Sequence, residues 1–130
     1  MEGRRRVERF EDLVAWQKAR HLTQAVHEVT RAPRFAADGA LCRQMQRAAV
    51  SVMCNIAEGF ERGGRSEFHQ FLSTAKASCA EVRSHLYVAL DAGYVDQSEF
   101  SQLMDRAEDV ARIVGALRAA VARQRKTQGS

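Results

Sequence analysis

The 130-residue chain carries 20 Lys or Arg against 16 Asp or Glu, a formal charge of +4. That length suits one domain, and a chain of this size buries about two-thirds of its unfolded surface, so neither a metal nor a disulfide staple is required. A single Pro, eight Gly and few β-branched residues predict an all-α domain.

The first helix opens after Phe10, where Glu11 and Asp12 suit the positive end of a helix dipole. Leu13, Trp16, Ala19, Leu22, Val26 and Val29 recur at spacings of three and four, and the helix ends near Thr30 because Pro33 cannot extend it. Residues 31–38 read as a loop. Asp38 is the expected N-cap of the second helix, whose inner stripe is Leu41, Met45, Ala48, Val52 and Ile56. Gly59 or the Gly63–Gly64 pair supplies its stop. Ser66 is the expected cap of the third helix, which turns Phe68, Leu72, Ala75, Cys79, Val82, Leu86 and Ala89 inward and ends at Gly93. The fourth runs from Ser98 to about Arg125, with Phe100, Leu103, Ala107, Val110, Val114, Leu117 and Val121 as its seam. At 1.5 Å per residue it spans about 40 Å. These helices predict an up-down-up-down four-helix bundle over residues 10–125, with a basic N-terminal arm at 1–9 and a C-terminal tail at 126–130.

The second helix is apolar or small around its whole circumference from Ala48 to Ala57. Such a helix needs cover on more than one side, which predicts self-association into a homo-oligomer. Beside that stretch lie Asn55 and Glu58, with Ser78 and Glu81 on the third helix and Arg47 within reach of either carboxylate. Buried polar groups must find partners, so these five read as a structural network that fixes helix register.

Position gives the charge its meaning. Arg4, Arg5 and Arg6 face only Glu2 in residues 1–6, and residues 118–130 hold four basic side chains and no acid. Residues 7–117 carry 13 basic and 15 acidic side chains, a net of −2. Up-down topology brings Arg4, Arg5, Arg6 and Arg9 to the same pole as Arg62 and Arg65 and as Arg118, Arg123, Arg125 and Lys126. The expected partner of that pole is nucleic acid, bound through phosphates without sequence readout; the ERGGRS turn adds backbone N–H groups. The alternative is an adaptor that docks a protein partner such as a nucleic-acid enzyme.

Nothing in the chain matches a nucleophile elbow, a P-loop or a paired Glu-x-x-His di-iron set, so no catalytic residue, metal or cofactor is expected. Glu81 and His85 read as a surface pair. Cys42, Cys54 and Cys79 form no C-x-x-C pair, no apolar leader opens the chain, and no stretch reaches the roughly 20 residues of a membrane span. A cytoplasmic protein without membrane contact is expected.

FEDLVAWQKA at 10–19, LCRQMQRAAVSVMCNIAEG at 41–59 and FLSTAKASCAEVRSHL at 71–86 resemble the bacterial four helix bundle protein family, also called the large-subunit rRNA intervening-sequence protein family. The resemblance covers roughly residues 10–117. It implies an up-down bundle that assembles as a homopentamer around a central channel. A related branch, the accessory variability determinant of diversity-generating retroelements, is a basic pentameric barrel that binds nucleic acid and a reverse transcriptase. By position, Asn55, Glu58, Ser78 and Glu81 match the family's polar motif residues, none with a catalytic role. Ala77-Ser78 stands where the family usually has Gly-Ser.

Overall fold

The computed structural model describes residues 6–129, with side chains through Gln124; Arg4, Arg5 and the side chains of Arg125 and Lys126 lie outside the described residues. Four long helices and one short one make up the fold, with no strand among the described residues: α1 (Val14–Val29), α2 (Pro33–Ala36), α3 (Gly39–Glu61), α4 (Arg65–Asp91) and α5 (Gln97–Gly129). α1 and α4 each pack against both α3 and α5, and contacting pairs run in opposite chain directions, as Thr23 with Ala49 and Ser73 with Arg118 show.

Helix ends follow local chemistry, with some residues other than those expected. Glu11 and Asp12 belong to a 3-10 turn, Phe10–Asp12, that precedes α1. There the Asp12 carboxylate accepts from the backbone N–H groups of Glu8 and Arg9 at 3.1 and 3.3 Å. α1 ends at Val29 with Thr30 as its C-cap, as expected, and Pro33 opens α2 at a position where its missing N–H costs no bond. The segment expected as a loop thereby delivers Phe35, fully buried, to the end of the core. Asp38 caps α3 as expected, accepting from Leu41 N–H at 3.0 Å. Gly63, with φ +79°, sits in the α3–α4 turn, so Gly59 lies inside the helix. Gly64 rather than Ser66 is the N-cap of α4. At the far end Gly93, φ +77°, closes a Schellman turn in which Tyr94 N–H donates to Ala89 C=O at 2.9 Å. α5 opens on reciprocal side-chain caps, Glu99 N–H to Asp96 and Asp96 N–H to Glu99, in place of Ser98.

The core runs along the shared axis. Leu22, Val26, Met45, Val52, Ile56, Leu72, Val82, Leu86, Val110 and Val114 are fully buried, all from the periodic stripes. Trp16 and Val29 on α1 and Phe68 on α4 are only partly covered. No helix among the described residues is long and apolar enough to cross a membrane.

Two poles result. One holds the Phe10–Asp12 turn, the α3–α4 turn and the C-terminal half of α5; the other holds α2 and the α4–α5 turn, where Phe35 lies 5.3 Å from the Tyr94 ring.

Candidate nucleic-acid interface and polar seam

The nominated arginines separate once their partners are visible. Arg62 is engaged on three sides: by Glu58 at 3.0 Å, by Glu67 at 3.6 Å, and by the Phe71 ring, 5.1 Å from its guanidinium carbon. Arg9 pairs with Glu11 at 3.6 Å. Arg118 reaches across to α4 and donates to the Ser73 hydroxyl at 3.2 Å. Arg65 is the first residue of α4, partly covered, while Arg6 and Arg123 are exposed. The same end also carries Glu8, Glu11, Asp12, Glu58, Glu61 and Glu67, one acid for each described arginine.

The ERGGRS turn differs from a bare phosphate cradle. Glu67 curls back over the start of α4, so that a Cβ built on Gly64 would lie 3.0 Å from Glu67 Oε1. A carboxylate already sits where the helix dipole draws an anion. The adjoining hollow, lined by Gly59, Phe60, Gly63, Gly64, Arg65 and Phe68, is mainly apolar.

Between α3 and α4 runs a short polar seam. Ser51 and Ser78 share a 2.8 Å hydroxyl–hydroxyl bond, and Asn55 Nδ2 donates to Ser51 C=O at 2.8 Å and to Ser51 Oγ at 3.0 Å. Ser51, which is not among the five residues expected to form the network, is the hub. Its signal was there: Ser51 and Asn55 stand one turn apart on an otherwise apolar stretch. Glu58 takes Arg62 as its partner one turn on, and Arg47 and Glu81 are both exposed, with no ion pair joining Arg47 to either carboxylate. Arg47 and Glu58 are eleven residues apart on one helix, about 16 Å at the helical rise, too far to pair. Nor do Glu81 and His85 pair at the surface: His85 Nδ1 is buried and without a hydrogen-bond partner among the described residues.

Elsewhere, a groove of about 470 Å³ between α1 and α5 gathers Lys18, His21, Asp105 and Asp109. Its charges neutralise one another, since Asp109 binds Lys18 at 3.6 Å and also pairs with Arg112. Among the described residues no three His, Cys, Asp or Glu side chains are placed to hold a metal ion.

A family model described as 23S rRNA-intervening sequence protein matches residues 11–116. The chain belongs to that family. No functionally curated protein matches it. Among solved structures it is similar to a protein of unknown function from the S23 ribosomal protein family of Bacteroides thetaiotaomicron, at 14% identity and a TM-score of 0.74, over 81% of this chain and 98% of that one. The intervening-sequence protein match takes in α1 to α4 and most of α5. Of the ten nominated basic residues it includes only Arg62 and Arg65; the others lie beyond residues 11–116.

Proposed function

We propose that this intervening-sequence protein is a non-enzymatic scaffold that assembles as a homopentamer and binds nucleic acid through its Arg-rich pole. What supports the reading is that Arg9 before α1, Arg62 and Arg65 at the α3–α4 turn and Arg118 and Arg123 on the C-terminal half of α5 lie toward one pole. Phosphates neutralised by such a surface release counterions, so binding is salt-steep and tolerant of sequence. The assembly reading is supported by apolar side chains left largely in water on α3 and α4, with Val50 39%, Tyr87 56% and Val88 50% exposed.

Fluorescence anisotropy with a single-stranded RNA tests the nucleic-acid reading. Wild type binds at 50 mM salt, and neutralising Arg4, Arg5, Arg125 and Lys126 together weakens it at least tenfold. Absence of binding at that salt overturns the reading. For assembly, light scattering distinguishes the 14.6 kDa chain from a multiple of it.

A further inference from the structure

A ring of five cannot close through a surface that meets itself; one surface of each copy must meet a different surface of the next. Where the ring axis lies along the bundle, neighbouring copies differ only by rotation, so contacts join residues at the same level. Two exposed rows of side chains meet both conditions.

The first row runs down α3. Its sides toward the neighbouring helices are taken, by Cys42, Gln46 and Ala49 against α1 and by Ser51 and Gly59 against α4. What remains outward is Arg43, Arg47, Val50, Cys54 and Glu61, all exposed and spaced to lie on one stripe. Two basic side chains open this row, apolar ones fill its middle and an acid ends it. The second row runs down α5 through Asp105, Glu108, Arg112, Ala116, Ala119 and Arg123, again all exposed at helical spacing. Here acids open the row, Arg112 and two small residues follow, and Arg123 ends it.

α3 and α5 both run antiparallel to α4 and hence parallel to each other. Ser51 stands level with its partner Ser78. α4 is registered on α5 by Ser73 with Arg118, and by Lys76, whose Cε would lie 3.6 Å from a Cβ built on Gly115. That register puts Ser78, and therefore Ser51, level with Ile113. Along two parallel helices of equal rise, Arg43 is then level with Asp105, Arg47 with Asp109 beside Glu108, and Glu61 with Arg123. The rows thus carry opposite signs at both ends, while Val50 and Cys54 come level with Arg112 and Ala116. Arg43, Arg47, Asp105 and Glu108 make no ion pair among the described residues, whereas Asp109 already holds Lys18 and Arg112.

We infer that the outward row of α3 docks, parallel and in this register, on the outward row of α5 of a second copy, with Arg43 and Arg47 against Asp105 and Glu108. It rests on the assembly reading above and assigns the two faces of the contact. The charged ends set the register, and the middle takes Val50 and Cys54 out of water against the small side chains of α5. Within one chain α3 and α5 lie on a diagonal, since α1 and α4 each pack against both, so these rows meet only between copies.

Light scattering compares wild type with Arg43→Glu/Arg47→Glu, with Asp105→Arg/Glu108→Arg, and with the fourfold variant that carries both exchanges; circular dichroism follows helicity. Each double variant is expected to shift toward 14.6 kDa at full helicity, needing at least about tenfold more protein to assemble at 50 mM salt, because like charges then face each other. The fourfold variant reverses both rows and regains the assembled mass. Wild-type mass in either double variant overturns the inference, as does a fully helical fourfold variant that stays small. If only the α5 exchange is silent, the contact joins two antiparallel copies of α3, Arg43 against Glu61, and the α5 face is wrong. A wild type of 14.6 kDa at every concentration overturns the assembly reading as well.

Discussion

One small residue carries more of the packing than its size suggests. Gly59 lies where α3 and α4 approach closely: a Cβ there would sit 2.6 Å from the Phe71 Cβ and 3.0 Å from the Phe68 ring. The methyl of Gly59→Ala meets a helix-borne Cβ, which cannot swing away. We expect it to cost about 1–3 kcal/mol despite the better helix propensity of Ala, read as a lower urea midpoint. A more stable variant would mean that the helices part freely. The cysteines divide just as sharply. Cys79 is fully buried, and burial pushes its thiol up to about 11. Cys42 is buried against Thr30 and Phe35 carbonyls, its thiol raised first by burial and then by Asp38. Cys54 faces solvent. A thiol reagent at pH 8 is therefore expected to label one cysteine in the folded chain, Cys54, and three only after denaturation; labelling of Cys79 in the fold would contradict its burial.

At the scale of elements, the α2 turn and the α4–α5 turn lock one pole. Phe35 plugs the end of the core, and Tyr94 stacks near it while donating to the same Asp38 that caps α3. Phe35→Ala removes a fully buried ring from a place the surrounding helices cannot fill, a loss of roughly 3–5 kcal/mol in chemical denaturation. The Tyr94 latch has a pH signature. Its hydrogen bond to the Asp38 carboxylate, followed by burial, holds the hydroxyl above its ordinary value of 10.0. A raised tyrosine pKa favours the neutral form in the fold, so the stabilisation is complete below pH 10 and is lost as pH rises through the folded value. Wild type should exceed Tyr94→Phe in urea midpoint at pH 8, and the gap should close above pH 10. A gap that widens with pH would reverse the assignment.

Across the whole molecule, exposed apolar side chains are left on the outer faces of the long helices, among them Val50 on α3 and Tyr87 and Val88 on α4. If copies meet on the α3/α4 side, a charge placed there must be desolvated on assembly and will oppose it. Val88→Asp, at a half-exposed position outside the core, is expected to keep full helicity while lowering the scattering mass toward 14.6 kDa. An unchanged assembled mass would move the contact to another face. Assembly would also shield Cys54, so its labelling rate should fall as protein concentration rises.

The sequence by itself determined what depends on near neighbours in the chain. Stripes of Leu, Val and Ala at spacings of three and four located the four long helices and most of their buried residues, because helical period and apolar burial are local and additive. Asp38 as a cap was legible for the same reason. Ends with several competing signals were less so: Gly64 and Asp96 displaced the two expected serines, and Pro33 began a helix where only its breaking role had been read. Only the tertiary structure decided which polar groups meet. It made Ser51 the hub of the α3–α4 seam, gave Glu58 to Arg62, and engaged Arg9 and Arg118 at a pole whose described charges balance. The physical reason is range: charges and hydrogen-bonding groups act on whatever lies within a few ångströms, and helix adjacency sets that neighbourhood.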